Sequence, residues 1–169
     1  MKTPSQLATA ASQSSESIRP SEPYRAPRYR VTLVCETEGA GRAEPIRDSI
    51  TAVQLFRPCF EGLDREHFLV CGLDAKHRVI GINVVSVGSL TLSIVHPREV
   101  FKPLIVMNAA AWLASHNHPS GDATPSQEDR LLTKRLREAS DLLGITLLDH
   151  VILGEARHFS FADDGWPGA

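Results

Sequence analysis

Hydrophobic and polar positions follow two different periods along this chain, and the two periods predict an α/β fold. In the segment 127–143 the apolar residues Leu132, Leu136, Ala139 and Leu143 recur at helical spacing, on one face of a helix. Helical spacing is also found at 44–55 and 96–109, and strand-like runs of β-branched and aromatic residues at 30–35, 66–74, 78–87, 90–95, 111–116, 145–153 and 159–161. We therefore expect a mixed, largely antiparallel sheet flanked by helices.

The amino-terminal segment breaks this pattern. Residues 1–27 contain six serines and four prolines, and Leu7 and Ile18 are their large aliphatic side chains apart from Met1. Such a segment buries too little apolar surface to offset the entropy of ordering it. We expect a disordered Ser/Pro-rich tail at 1–27 and one folded domain at 28–169.

Composition narrows the class of protein. The 169 residues carry a net charge of −2, which disfavours nucleic-acid binding by the domain. The basic tail could still make a weak contact with nucleic acid. The sequence shows neither a membrane-spanning run nor a secretory signal, so we expect a cytoplasmic protein. The three cysteines form no CxxC pair and are expected to be reduced thiols.

The segment from His116 to Asp129 carries the candidate chemistry. His116 and His118 end a predicted strand, where residues two apart point to the same side. A Pro- and Gly-containing loop follows, and the next helix holds Asp129 in its first turn. Two histidines and one carboxylate form a catalytic zinc site with an open fourth position. Alternatively, Ser126 and Asp129 form a helix capping box, and the two interpretations are compatible.

The spacing His-x-His, seven residues, Ser, two residues, Asp resembles the signature of the JAMM/MPN metalloenzymes. The text HNHPSG at 116–121, HPRE at 96–99 and LDH at 148–150 resembles the RadC branch of that family. The resemblance runs from about residue 46 to 161 and implies a cytidine-deaminase-like JAMM/MPN fold. The chain resembles the short, single-domain members that lack a helix-hairpin-helix region.

The resemblance also implies roles for individual residues. His116, His118 and Asp129 would hold one Zn²⁺ per chain, and Ser126 would donate a hydrogen bond to the developing oxyanion. Glu66, at the start of the segment EHFLVCGLD, would be the general base. Its competitor is Glu99, for which the first turn of a helix is also a purely structural place.

Two further residues come from the LDH text. Asp149 could orient a metal-bound histidine, or it could form a satisfied buried pair with His150. Both alternatives place the pair inside a strand.

These features together predict a zinc-dependent metallohydrolase, a metallopeptidase or isopeptidase that uses metal-activated water on a peptide or protein substrate. The alternative is a non-catalytic, metal-stabilised interaction module associated with the DNA-related machinery of mobile elements. A zinc deaminase is disfavoured because the chain contains no Pro-Cys-x-x-Cys run.

Overall fold

The described strands form a sheet that carries helices on both faces. The computed structural model describes residues 27–36, 44–88 and 95–167. Contacts divide the chain into two units, Met1–Arg30 and Val31–Ala169, and the elements below lie in the second. The helices are α1 (Ser49–Phe56), α2 (Pro97–Val106) and α3 (Gln127–Leu143), with a short 3₁₀ helix at Arg57–Phe60, and the strands are β1 (His67–Leu73), β2 (Val79–Val87), β3 (Ala111–Asn117), β4 (Thr146–Leu153) and β5 (His158–Ser160).

The sheet has the strand order β2-β1-β3-β4-β5. Strand β1 is antiparallel to both β2 and β3, and β4 is antiparallel to β5, while β3 and β4 are parallel. A parallel pair needs a crossover connection, and α3 supplies it between β3 and β4. The predicted mixed, largely antiparallel sheet with flanking helices is confirmed.

The sheet separates two apolar layers. Along β1, Leu69 and Cys71 pack on the side of α1, whereas Phe68 and Val70 pack on the side of α2 and α3. This alternation follows from the two-residue period of a strand. The same alternation along β3 turns His116 to the α3 side, where its ring stacks on Phe68 with the centroids 6.0 Å apart. The candidate site therefore lies where this layer ends.

Helix α3 begins and ends at the predicted residues. Ser126 is the N-cap, and its side chain accepts a hydrogen bond from the Asp129 amide. At the other end Gly144 adopts φ +68°, the left-handed conformation that closes many helices.

The buried face of α3 differs from the predicted one. The deeply buried positions are Asp129, Thr133, Leu136 and Ser140, whereas Leu143 at the end of the predicted stripe is 46% exposed. The helix is rotated because three of its polar side chains have partners in the interior.

The predicted strand at residues 30–35 is wrong. Residues 27–36 adopt neither helix nor strand, and Val31 and Val34 are exposed by 72% and 82%. A β-branched sequence favours a strand only where a neighbouring strand pairs with it. The predicted strand at 90–95 lies outside the described residues except for Val95.

The first predicted helix differs from the structure in where it begins, whereas the second does not. Helix α1 starts at Ser49 rather than near Glu44, because the Asp48 carboxylate caps it by accepting from the Thr51 amide at 2.8 Å. Helix α2 begins at Pro97, as the helical spacing from residue 96 predicts, and it contains Pro103. None of the helices in the described ranges is long and apolar enough to cross a membrane.

Candidate metal centre

Strand β3 brings the two histidines together at its carboxyl end. His116 is the penultimate residue of β3 and His118 follows the strand directly. Because residues two apart share a face of a strand, both rings point to the α3 side. Their Nε2 atoms lie 3.0 Å apart. His116 is only 1% exposed, whereas the side chain of His118 borders solvent at 17%.

The loop after β3 turns back sharply, so that Gly121 and Asp122 contact His118. The Gly121 amide donates to the His118 carbonyl at 2.9 Å, and Gly121 has φ +84°. A side chain on the neighbouring Gly154 would collide with the Gly121 carbonyl, so this close approach requires glycine. The Asp122 carbonyl lies 2.7 Å from Nδ1 of His118. This contact turns Nε2 of His118 toward the site.

Helix α3 begins with the third candidate ligand. Asp129 Oδ1 lies 3.2 Å from Nε2 of His116, and Oδ2 lies 3.5 Å from Nε2 of His118. The same carboxylate accepts from the Ser126 amide at 2.8 Å and from the Ser126 hydroxyl at 2.7 Å. The capping box and the convergence on the histidines therefore coexist, as the sequence predicts.

The electrostatics of the three groups favour a positive charge between them. Burial alone would raise the pKa of the Asp129 carboxyl, but the neighbouring His116 and His118 rings hold that pKa far below the ordinary range. The hydrogen bond with Asp129 in turn raises the pKa of His118, against the opposing effect of burial. A permanent carboxylate thus faces two imidazole nitrogens.

These three side chains could hold a metal ion. Their candidate ligand atoms lie within 4.8 Å of one another. The Nδ1 atoms of both rings are engaged elsewhere, with Asp122 and with His150, so both Nε2 atoms are left for an ion. Two imidazoles and a carboxylate are a donor set that zinc accepts. The residues present therefore fit the ion that the sequence predicts.

Glu66 lies beside His118. It directly precedes β1 and is half-buried. Strand β1 pairs with β3 so that Phe68 faces His116 at the end of the paired residues, and the same register continued by two residues would bring Glu66 opposite His118. After the hydrogen bond with Asp129, the charge of Glu66 adds a smaller upward contribution to the pKa of His118.

Glu99 lies in a different place. It is exposed in the first turn of α2 and lines a surface groove with Val84, Lys102 and Pro103. That groove is formed by α2, β2 and residues 31–33, and His118 does not line it.

A cleft of about 440 Å³ opens next to His118. Its walls come from the 3₁₀ helix and the residues that follow it, the turn after β3 and the end of β4, and they include Phe60, Leu63 and Gly121. Of the three candidate ligands, His118 lines this cleft, whereas His116 and Asp129 do not.

Two residues lie behind the histidines: Thr133, which sequence reasoning missed, and His150, which it named only as a possible partner of Asp149. Nε2 of the fully buried His150 lies 2.8 Å from Nδ1 of His116, and its Nδ1 lies 2.7 Å from the Thr133 hydroxyl oxygen. The Asp149 carboxylate instead accepts from Ser160 at 2.7 Å. His150, and not Asp149, therefore contacts the candidate ligand His116. The sequence-based alternative in which Asp149 orients a metal-bound histidine had given this position to Asp149.

The cysteines lie away from this chemistry. Burial raises the pKa of the Cys71 thiol to about 12, so that it stays protonated and unreactive. Cys35 and Cys59 are exposed.

Comparison with known proteins agrees with the motif. Residues 46–166 match the RadC-like JAB domain family. A UPF0758 protein of Moorella thermoacetica is 55% identical over 101 residues, 60% of this chain and 44% of that protein. A UPF0758 protein of Listeria monocytogenes is 44% identical over 137 residues, 81% of this chain and 59% of that protein. The chain thus spans about half the length of these curated relatives.

Proposed function

Because the chain belongs to the RadC-like JAB domain family, we propose that it is a zinc-dependent hydrolase of peptide or isopeptide bonds. The single observation that supports this most strongly is the convergence of His116, His118 and Asp129 beside an open cleft. A site that only stabilised the fold would not need such access. The proposed partner is a peptide or protein that enters the cleft.

Nε2 of His116, Nε2 of His118 and the Asp129 carboxylate would hold the ion. Zinc, when bound, polarises a carbonyl oxygen and makes water a nucleophile near neutral pH. His118 has the most exposed side chain of the three ligands and also lines the cleft, so we infer that a substrate reaches the ion from the side of His118.

Glu66 is the proposed general base. This role is supported by the β1–β3 register, which, continued by two residues, would bring the Glu66 carboxylate to the same side of the sheet as both histidines. There it would accept a proton from the attacking water and return it to the leaving amine. Ser126 is the proposed oxyanion donor. Ser126 is an exposed residue, and its hydroxyl hydrogen would turn from Asp129 to a substrate oxygen.

Metal content is the first test. We expect about one zinc per wild-type chain by plasma mass spectrometry, and background zinc in His118→Ala purified side by side. Circular dichroism verifies that the variant is folded. No bound metal in either folded protein would overturn the proposal.

The second test separates an enzyme from a non-catalytic module. A proteome-derived peptide library is incubated with each protein, and new termini are counted by mass spectrometry. We expect Glu66→Gln to keep its zinc but lose cleavage by at least about 100-fold. Glu99→Gln is the matched control and should cleave like the wild type. Absence of cleavage by the zinc-loaded wild type would instead favour the metal-stabilised interaction module.

A further inference from the structure

A continuous line of hydrogen bonds runs from the backbone of α3 to His116. The Thr133 hydroxyl oxygen lies 2.6 Å from the Asp129 carbonyl oxygen and 2.7 Å from Nδ1 of His150. On the other side of the His150 ring, Nε2 lies 2.8 Å from Nδ1 of His116. His116, Thr133 and His150 are each at most 1% exposed, so water does not replace these contacts.

The direction of each bond follows from the number of protons available. A carbonyl oxygen only accepts, so the single hydroxyl proton of Thr133 must point to Asp129. The Thr133 oxygen then accepts from His150, which puts a proton on Nδ1 of that ring. His150 is fully buried, and its ring nitrogens contact a hydroxyl and a second imidazole rather than a carboxylate, so a charged ring would be buried without a counter-charge; the ring is therefore neutral and its Nε2 is bare. Hence Nδ1 of His116 must donate to His150.

We propose that Thr133 and His150 are positioning residues that fix His116 in the tautomer with its proton on Nδ1, so that the Nε2 lone pair faces the site. This inference rests on the proposed function, in which the Nε2 lone pair of His116 binds the metal ion. His150 itself is held by ring contacts with Phe68 at 5.4 Å and with Phe161 at 5.2 Å. Because the His150 ring is held in place, the proton position that Thr133 fixes on His150 also fixes the proton position on His116.

The same line of bonds joins two ligands. Thr133 lies one turn after Asp129 and bonds to its carbonyl, so the hydroxyl is anchored on the residue that supplies the carboxylate. His118 has no such buried support, because its Nδ1 contacts the Asp122 carbonyl in an exposed loop. The tautomer of His118 is therefore set locally, whereas that of His116 depends on α3 and β4.

Thr133→Val and Thr133→Ser form a matched pair. Valine keeps the shape of threonine but removes the hydroxyl, whereas serine keeps the hydroxyl and loses a methyl group. Zinc affinity is measured by competition with a chromophoric chelator. We expect Thr133→Val to bind zinc about 10–100-fold more weakly, the usual effect of losing such a support, and Thr133→Ser to stay close to the wild type. Ser140→Ala, which removes another buried hydroxyl of α3, should also keep its affinity.

Nitrogen-15 spectroscopy of the histidine rings gives a second measurement, made on the zinc-free protein. We expect the wild type to carry the His116 proton on Nδ1 and Thr133→Val to show a mixture of tautomers. A wild-type proton on Nε2 of His116 would overturn the inference without any variant. Equal zinc affinity in wild type and folded Thr133→Val would also overturn it. If the wild type binds no zinc but shows the expected tautomer, the hydrogen-bonded line stands and the proposed function fails.

Discussion

Helix α3 contacts β3 through polar side chains at both of its ends. The two ends differ in whether these polar groups satisfy one another or remain able to bind a further ion. At the carboxyl end, the Ser140 hydroxyl accepts from Nε1 of Trp112 at 2.9 Å. At the amino end, Asp129 faces His116 and His118. In the first contact one donor, the Trp112 N–H, is paired with one acceptor, the Ser140 hydroxyl oxygen, and we call this contact complete. The second brings two ring nitrogens and a carboxylate to one point.

This difference separates a structural contact from a candidate binding site. Burying a polar group is costly unless it is hydrogen-bonded, and the Trp112–Ser140 pair meets that requirement by itself. At the other end three potential electron-pair donors face each other within 3.0–3.5 Å, an arrangement that a cation stabilises. Leu136 and Ala114 belong to the apolar cluster between the two ends.

Removing the apolar contact between the two ends should have the largest effect. Leu136 is fully buried, so Leu136→Ala leaves a cavity and should lower the free energy of unfolding by about 2–5 kcal/mol. Urea denaturation measures this loss. Leu131→Ala, at a position 59% exposed on the same helix, is the control and should change it by less than about 0.5 kcal/mol. Equal losses in both variants would contradict the observed packing of α3.

Breaking the Trp112–Ser140 hydrogen bond should lower the stability of the protein without changing its zinc binding. Ser140→Ala leaves the buried N–H of Trp112 without its acceptor and should lower the free energy of unfolding by about 1–3 kcal/mol. Because Ser140 lies far along α3 from the ligands, zinc should stabilise this variant as much as the wild type. Denaturation with and without zinc measures both quantities. A smaller zinc effect would mean that the two ends are coupled.

A change of pH should distinguish the two ends with a smaller effect. The folded pKa of His118 is raised by Asp129, so this contribution to stability is complete below the ordinary value of 6.5 and is lost as pH rises through the folded pKa. In zinc-free protein, Asp129→Asn should therefore cost more stability at about pH 5.5 than at about pH 9. Denaturation in EDTA measures this difference. The cost of Ser140→Ala should not change, because neither Ser140 nor Trp112 titrates there.

Much of the fold could be predicted because its signals are local. Ser126 and Gly144 define the ends of α3 within a few residues of each, and both were found. The segment 30–35 has the composition of a strand, but strand formation depends on a partner elsewhere in the chain. Local composition could not reveal whether that partner exists.

The site could be predicted only in part for the same reason. His116, His118 and Asp129 lie in one continuous strand-loop-helix segment, so their spacing predicts their convergence. Thr133 and His150 meet only after β4 has paired with β3. Adjacent residues of a strand point to opposite faces, so the choice between Asp149 and His150 depends on a register that the sequence does not contain.

The smallest predicted effect tests which face of α3 is buried. Hydropathy alone puts Leu143 in the apolar stripe, yet it is 46% exposed while Ser140 is 2% exposed. Leu143→Gln should therefore change the free energy of unfolding by less than about 0.5 kcal/mol, well below the loss in Ser140→Ala. Urea denaturation of both variants makes the comparison. A larger loss in Leu143→Gln would mean that α3 buries its hydropathy stripe, which would turn Thr133 and Asp129 away from the histidines.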